Sequence, residues 1–146
     1  MRSAKEVIES LALEPLPGEG GMWAPIFNNG AASAIYFLME RPDFSAWHRI
    51  PEQEMWIHVA GSPTSLYLVD EENKVSKSTL DSSAGSYQAI VAPDRWMAAR
   101  PLGDWSLVIC TLTPAFTRME LASRSESAKW IADGSLRDEM EALFHD

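Results

Sequence analysis

Seven short runs rich in β-branched, aromatic and aliphatic residues follow one another between residues 33 and 112. They are "SAIYFLM", "FSAWHRI", "EMWIHVAG", "TSLYLVD", "KVSKSTL", "SYQAIVA" and "WSLVICTL". Turn clusters such as "ERPD", "GSP", "DEEN", "DSSAG" and "RPLGD" separate them. Regular spacing of short strands with Gly, Pro and Asp between them predicts an all-β sandwich or barrel. Helical signals are confined to the ends. "SAKEVIESLAL" pairs Ser3 with Glu6 as a capping box and puts Val7, Ile8 and Leu11 on one face. "EPLPGEGG" then stops it. Near the C-terminus, Ser123 and Glu126 form a second capping box. Gly134 reads as a stop, and a last helix begins near Ser135 with Leu136, Met140, Leu143 and Phe144 on one side.

The chain has 146 residues, which suits one domain spanning residues 1–146. Its formal net charge of -9, with no Lys/Arg cluster to offset it, argues against nucleic acid and anionic membrane surfaces as partners. The one cysteine, Cys110, rules out an intramolecular disulfide and lies in an apolar run, so a buried inert thiol is expected. Charges at Lys5, Glu6 and Glu9 replace the apolar centre of a signal peptide, and no run reaches membrane-span length. A soluble cytoplasmic protein is the expectation.

The chemistry concentrates in "FSAWHRIPEQEMWIHVAG", residues 44–61. Alternation puts Glu54, Trp56 and His58 on one face of a strand and Met55, Ile57 and Val59 on the other. A carboxylate on a covered face needs a partner, and His48 is the natural one. "IPEQ" has the length of a turn that would fold "FSAWH" back on "EMW" and bring His48 opposite Glu54. His48 with Glu54 can then be a buried pair that holds the hairpin, an acid/base pair that contacts a ligand, or half of a metal site. His58 lies four residues from Glu54, about 13 Å along a strand, so it reads as pocket wall. Six tryptophans serve either packing or an aromatic pocket lined by Trp47, Trp56 and Trp96. Arg49, Arg95 and Arg100 read as surface residues, one of which could instead face a barrel mouth and bind an oxyanion. "PGEGG" lacks the Lys-Ser/Thr of a phosphate loop and reads as a turn that crosses over the barrel.

This segment resembles the first motif of the cupin superfamily, with His48 as its first His, Glu54 as its Glu and Gly61 as its closing Gly. The second His falls on Ile50. The resemblance is closest to the cupin-5 branch, a domain of unknown function. It rests on "PGEGG", "SAIYFLM", "WHRIPEQEMWIHVAG", "APDRWMAARPLGDWSLVICTLTPAF" and "MELA", and covers roughly Leu11 to Ala122. It implies a jelly-roll barrel (a double-stranded β-helix) with short terminal helices, a small-molecule pocket inside it, and a homodimer that covers exposed sheet edges.

The resemblance makes His48 and Glu54 the candidate catalytic residues. Trp47, Trp56, His58, Arg49, Tyr36, Gln88 and Trp96 are the candidate ligand-binding set. The leading expectation is sugar-nucleotide epimerase- or isomerase-like proton transfer, which works without a metal on this barrel. A non-catalytic ligand-binding module is the alternative, and a metal-dependent enzyme the third. No cofactor is expected. A divalent metal at His48 and Glu54 is disfavoured, since Ile50, Met97 and Ala98 stand where further polar groups would be, although Gln53, Gln88 or His58 could add a ligand.

Overall fold

The computed structural model describes residues 2–131 and 134–146. Helix α1 (Ala4–Leu11) opens the chain. Its N-cap Ser3 accepts a hydrogen bond from Glu6 N at 3.2 Å, which satisfies one of the free amides at the helix start. Among the described residues eleven strands follow in the order β1 (Glu14–Pro15), β2 (Met22–Asn28), β3 (Ser33–Glu40), β4 (Ser45–Arg49), β5 (Gln53–Gly61), β6 (Thr64–Val69), β7 (Val75–Leu80), β8 (Gln88–Val91), β9 (Met97–Pro101), β10 (Trp105–Thr113) and β11 (Glu120–Leu121). Two short helices, α2 (Arg124–Ser127) and α3 (Arg137–Glu141), close the chain. Ser123 caps α2 through Glu126 N, as its sequence predicts, whereas α3 starts at Leu136 without a side-chain cap.

The strands form two antiparallel sheets. One has the order β1-β2-β3-β10-β5-β8 and the other β11-β4-β9-β6-β7. Their inner faces close on a core that includes Phe37, Met39, Trp56, Leu66, Met97, Val108 and Cys110. This is the jelly-roll barrel that the sequence predicts. Two smaller cores seal the outside. Trp47, Tyr67, Trp96, Trp130 and Leu143 lie where the C-terminal segment covers the second sheet. Val7, Leu38 and Trp105 lie where α1 covers one end of the first.

One local expectation is corrected. β4 and β5 do not form a hairpin: β4 pairs with β9 and β11, and β5 with β10 and β8. The link at Ile50–Glu52 carries the chain from one sheet to the other. Each strand buries its apolar inner side against the opposite sheet, which a flat hairpin would leave half open. Glu52 holds this crossing in place, accepting 2.7 Å and 3.3 Å hydrogen bonds from Thr117 Oγ1 and N.

Candidate functional site

Alternation along β5 turns Glu54 and Trp56 inward, and β4 supplies His48 from the facing sheet. They line a cavity of about 300 Å³ whose other walls are mainly aromatic and aliphatic, including Trp23, Phe37 and Leu112. Phe27 and Phe116, both substantially exposed, form part of its rim.

A bulge in β4 aims the histidine. Ser45 pairs with Ala99 and His48 with Met97, so β4 has one residue more than its partner between these pairs. Ser45 and His48 therefore both face inward. Ala46 N donates to Glu19 O at 2.8 Å, and Ala46 O lies 2.7 Å from His48 Nδ1. A carbonyl can only accept, so Nδ1 carries a proton. In the neutral ring Nε2 is then the lone-pair nitrogen.

Nε2 faces a carboxylate, but not that of Glu54. It lies 3.8 Å from Glu19 Oε1, while Glu19 Oε2 accepts a 2.7 Å hydrogen bond from Ser45 Oγ. Among the described residues no ion pair or hydrogen bond joins His48 to Glu54. Glu19 belongs to the "PGEGG" turn, which does cross the barrel. Leu16 N donates to Gly21 O, Gly20 N to Leu16 O, and Gly21 N to Asp43 Oδ2 at 2.8 Å. This compact turn places Glu19, 8% exposed, over the cavity. Sequence reasoning located the crossing and overlooked the acid within it. An isolated acid flanked by glycines was the available signal.

Glu54 is 5% exposed. Its Oε1 accepts a 2.9 Å hydrogen bond from Trp56 Nε1, and its other oxygen has no hydrogen-bond partner among the described residues. Burial, with the nearby charge of Glu19 adding to it, pushes its carboxyl up to about 8 against the opposing Trp56 bond. Glu54 is thus mostly a neutral acid at pH 7. Cys110 also lines the cavity, and burial pushes its thiol well above the ordinary range, so it stays protonated.

The other predicted residues lie elsewhere. His58 is buried on the inner side of β5, but both of its nitrogens are occupied: Nδ1 accepts from Ser82 N at 2.9 Å, and Nε2 bonds Ser62 O at 2.8 Å. It ties β5 to the turn at Ser62 and to the 3-10 helix Ser82–Ala84. Trp47 faces the other side of β4 and donates to Met140 O at 2.9 Å. Trp96 stacks on Trp130, with Arg49 over its ring 4.4 Å from the centroid and bonded to Glu120 at 2.8 Å. Arg95 pairs with Glu71, and Arg100 with Glu139 and Tyr67. Tyr36 packs with the α1 cluster, and Gln88 is exposed on β8. Of the nine predicted site residues, the cavity brings together His48, Glu54 and Trp56.

The fold also raises the question of a metal. Among the described residues no group of three His, Cys, Asp or Glu side chains could hold one ion. Ile50 lines the cavity at the position of the second motif histidine, and Met97 is buried in the core. This donor set does not fit a tightly held transition metal, which takes three or four such ligands. Among the described residues no helix is long and apolar enough to cross a membrane.

Comparison with known proteins agrees with this architecture. A family model described as "Cupin superfamily (DUF985)" matches residues 5–122. A solved structure of a Shewanella oneidensis protein is 26% identical, with 99% of each chain covered and a TM-score of 0.87. A hypothetical protein from Leishmania major is 19% identical over 97% of each chain, with a TM-score of 0.79. A cupin 2 conserved barrel domain protein from Rhodopseudomonas palustris is 14% identical, with 99% of this chain and 86% of that chain covered and a TM-score of 0.64. The last two show the fold alone. No curated protein matches. The chain belongs to the cupin superfamily, in the DUF985 family of unknown function.

Proposed function

We propose that this small cupin-domain protein binds a small molecule inside its barrel, with His48, Glu54 and Glu19 as the polar contacts and Trp23, Phe37 and Trp56 as the apolar walls. The supporting observation is one cavity that gathers four buried ionisable side chains, Glu19, His48, Glu54 and Cys110, and leaves a Glu54 oxygen without a hydrogen-bond partner among the described residues. Ligand pockets have this composition, apolar walls with a few convergent polar groups, and about 300 Å³ is at the small end of their range. The test is a fragment screen by ligand-observed NMR on the whole protein. Fragments that bind wild type should lose binding to His48→Ala while its circular dichroism spectrum is retained. Binding that is unchanged in that variant, or no binding at all, would remove the proposal.

A second reading is proton transfer of the isomerase or epimerase kind. The detail that favours it is the fixed ring of His48. Its Nδ1–H is tied to Ala46 O, so Nε2 can take a proton from carbon while Glu54, protonated at neutral pH, can donate one. Among the described residues no Lys or Arg lines the cavity to meet a diphosphate, so the sugar-nucleotide part of that expectation gains no support.

We also propose that the protein is a homodimer. The outer side of β5 carries Met55, Ile57 and Val59, and Ile90 extends this apolar strip onto β8, the edge of the sheet. Val59 is 42% exposed and Ile90 59%. A second copy would cover both the strip and the open edge.

A further inference from the structure

We propose that the ligand of the barrel cavity is a small organic cation, a primary or secondary amine on an apolar body, with its ammonium group held by Glu54 and Glu19. This rests on the cavity being a ligand site and names the class of ligand.

The carboxyl groups of the cavity set its charge. Two face it, Glu54 from β5 and Glu19 from the crossing turn, and among the described residues no Lys or Arg lines it. The positively charged groups nearest in sequence point away: Arg49 lies over Trp96 on the outer side of β4 and is bonded to Glu120. An anionic ligand would meet two acids and no counter-charge. A neutral ligand would leave the acids as they are. A cation would pair with Glu19 and allow Glu54 to ionise in exchange for its proton.

Hydrogen-bond geometry points the same way. Glu54 has one oxygen satisfied by Trp56 and the other without a partner among the described residues, on a side chain only 5% exposed. Glu19 has Oε2 committed to Ser45, while Oε1 faces His48 Nε2 at 3.8 Å, beyond hydrogen-bond reach. Both carboxylates thus keep acceptor capacity. An ammonium takes its acceptors at about 2.8 Å rather than the roughly 2.0–2.2 Å of a bound zinc. Among the described residues no three His, Cys, Asp or Glu side chains could hold one metal ion, and an ammonium does not need three such ligands. His48 Nε2, an acceptor in the neutral ring, can serve a third N–H. The walls suit the rest of such a molecule: Trp23, Phe37 and Trp56 offer ring surfaces to a cation and to its hydrocarbon body.

The groups that face Glu54 are Glu19 from the turn, His48 from β4 and Cys110 from β10, with Trp56 on its own strand. None of these carries a fixed positive charge. Because Glu54 is mostly protonated at neutral pH, an ammonium that ionises it must release a proton.

The experiment titrates the whole protein with three isosteric probes, benzylamine, benzyl alcohol and benzoate, by isothermal calorimetry at pH 7. Benzylamine should bind at least about tenfold tighter than the alcohol, and benzoate should not bind. Repeating the amine titration in buffers of different ionisation enthalpy should show net proton release. Glu54→Gln and Glu19→Gln should each weaken the amine by about tenfold and leave the alcohol nearly unchanged. The alcohol or benzoate binding as tightly as the amine, or the amine binding without proton release and equally to both variants, would overturn the cation assignment alone. Manganese or nickel binding at micromolar concentration and displacing the amine would overturn it too. Failure of all three probes to bind would remove the ligand site and this inference together.

Discussion

Glu54 sits among aromatic and aliphatic side chains, and its carboxyl, ordinarily near 4.5, is pushed up to about 8 by burial and by Glu19. Below pH 4.5 the group is protonated in both the folded and unfolded chain and costs nothing electrostatically. Between 4.5 and 8 the folded chain holds a proton that the unfolded chain has released. Stability therefore falls as pH rises through this window, and levels out above 8. At about 1.4 kcal/mol for each pH unit of that window the full cost is of the order of 5 kcal/mol. Glu54→Gln mimics the protonated acid at every pH. Its melting temperature should match wild type near pH 5 and exceed it by several degrees at pH 9. Parallel melting curves for the two proteins from pH 5 to 9 would show that Glu54 carries no such cost.

Among the elements, the crossing turn is where the sequence has least freedom. Gly21 has φ +77°, and a Cβ there would lie 2.5 Å from the Phe37 ring and 3.1 Å from Leu38 O. Phe37 is 1% exposed in the core and cannot retreat. Gly21→Ala should cost about 2–4 kcal/mol, from overpacking and a left-handed backbone together. Gly30 is the control: its φ is +84°, but nothing lies within 4 Å of its Cβ position. Gly30→Ala should cost about 1–2 kcal/mol, from backbone conformation alone. Urea denaturation of both variants tests the comparison, and equal losses would contradict the packing argument. Gly21→Ala should also disturb the site, since the same turn carries Glu19.

For the whole molecule, the two sheets differ in how their outer faces are covered. The C-terminal segment packs Trp130, Met140 and Leu143 on the second sheet, while α1 covers only one end of the first. The remaining strip of Met55, Ile57, Val59 and Ile90 is what a second copy would bury. Light scattering at micromolar concentration should give about twice the chain mass of 16.2 kDa. Val59→Lys with Ile90→Lys should return the mass to that of one chain and keep the circular dichroism spectrum. A single-chain mass for wild type would rule out this assembly.

The period-2 alternation of "EMWIHVA" was enough to place Glu54, Trp56 and His58 on the buried side of β5, and all three are buried there. Even strand spacing and the ordered motifs were enough for the jelly roll. Four strands were missed for local reasons. β1 and β11 are two residues long each. β2 contains Pro25 and a bulge, and β9, "MAARP", has no β-branched residue, although it lies between β4 and β6. The site depended on what no local pattern encodes. Alternation assigns faces but not sheets, so it could not show that His48 and Glu54 come from opposite sides of the barrel. The bulge at Ala46 adds one residue to a strand whose composition does not mark it. Glu19 reaches the cavity only because a glycine turn far along the chain packs against β4, and His48 faces it instead of Glu54. Which tryptophans line the pocket was likewise decided by packing. Trp56 faces the other sheet, while Trp47 and Trp96 face the C-terminal segment. Local sequence sets the element and its two faces. Only the closed barrel sets what each face meets.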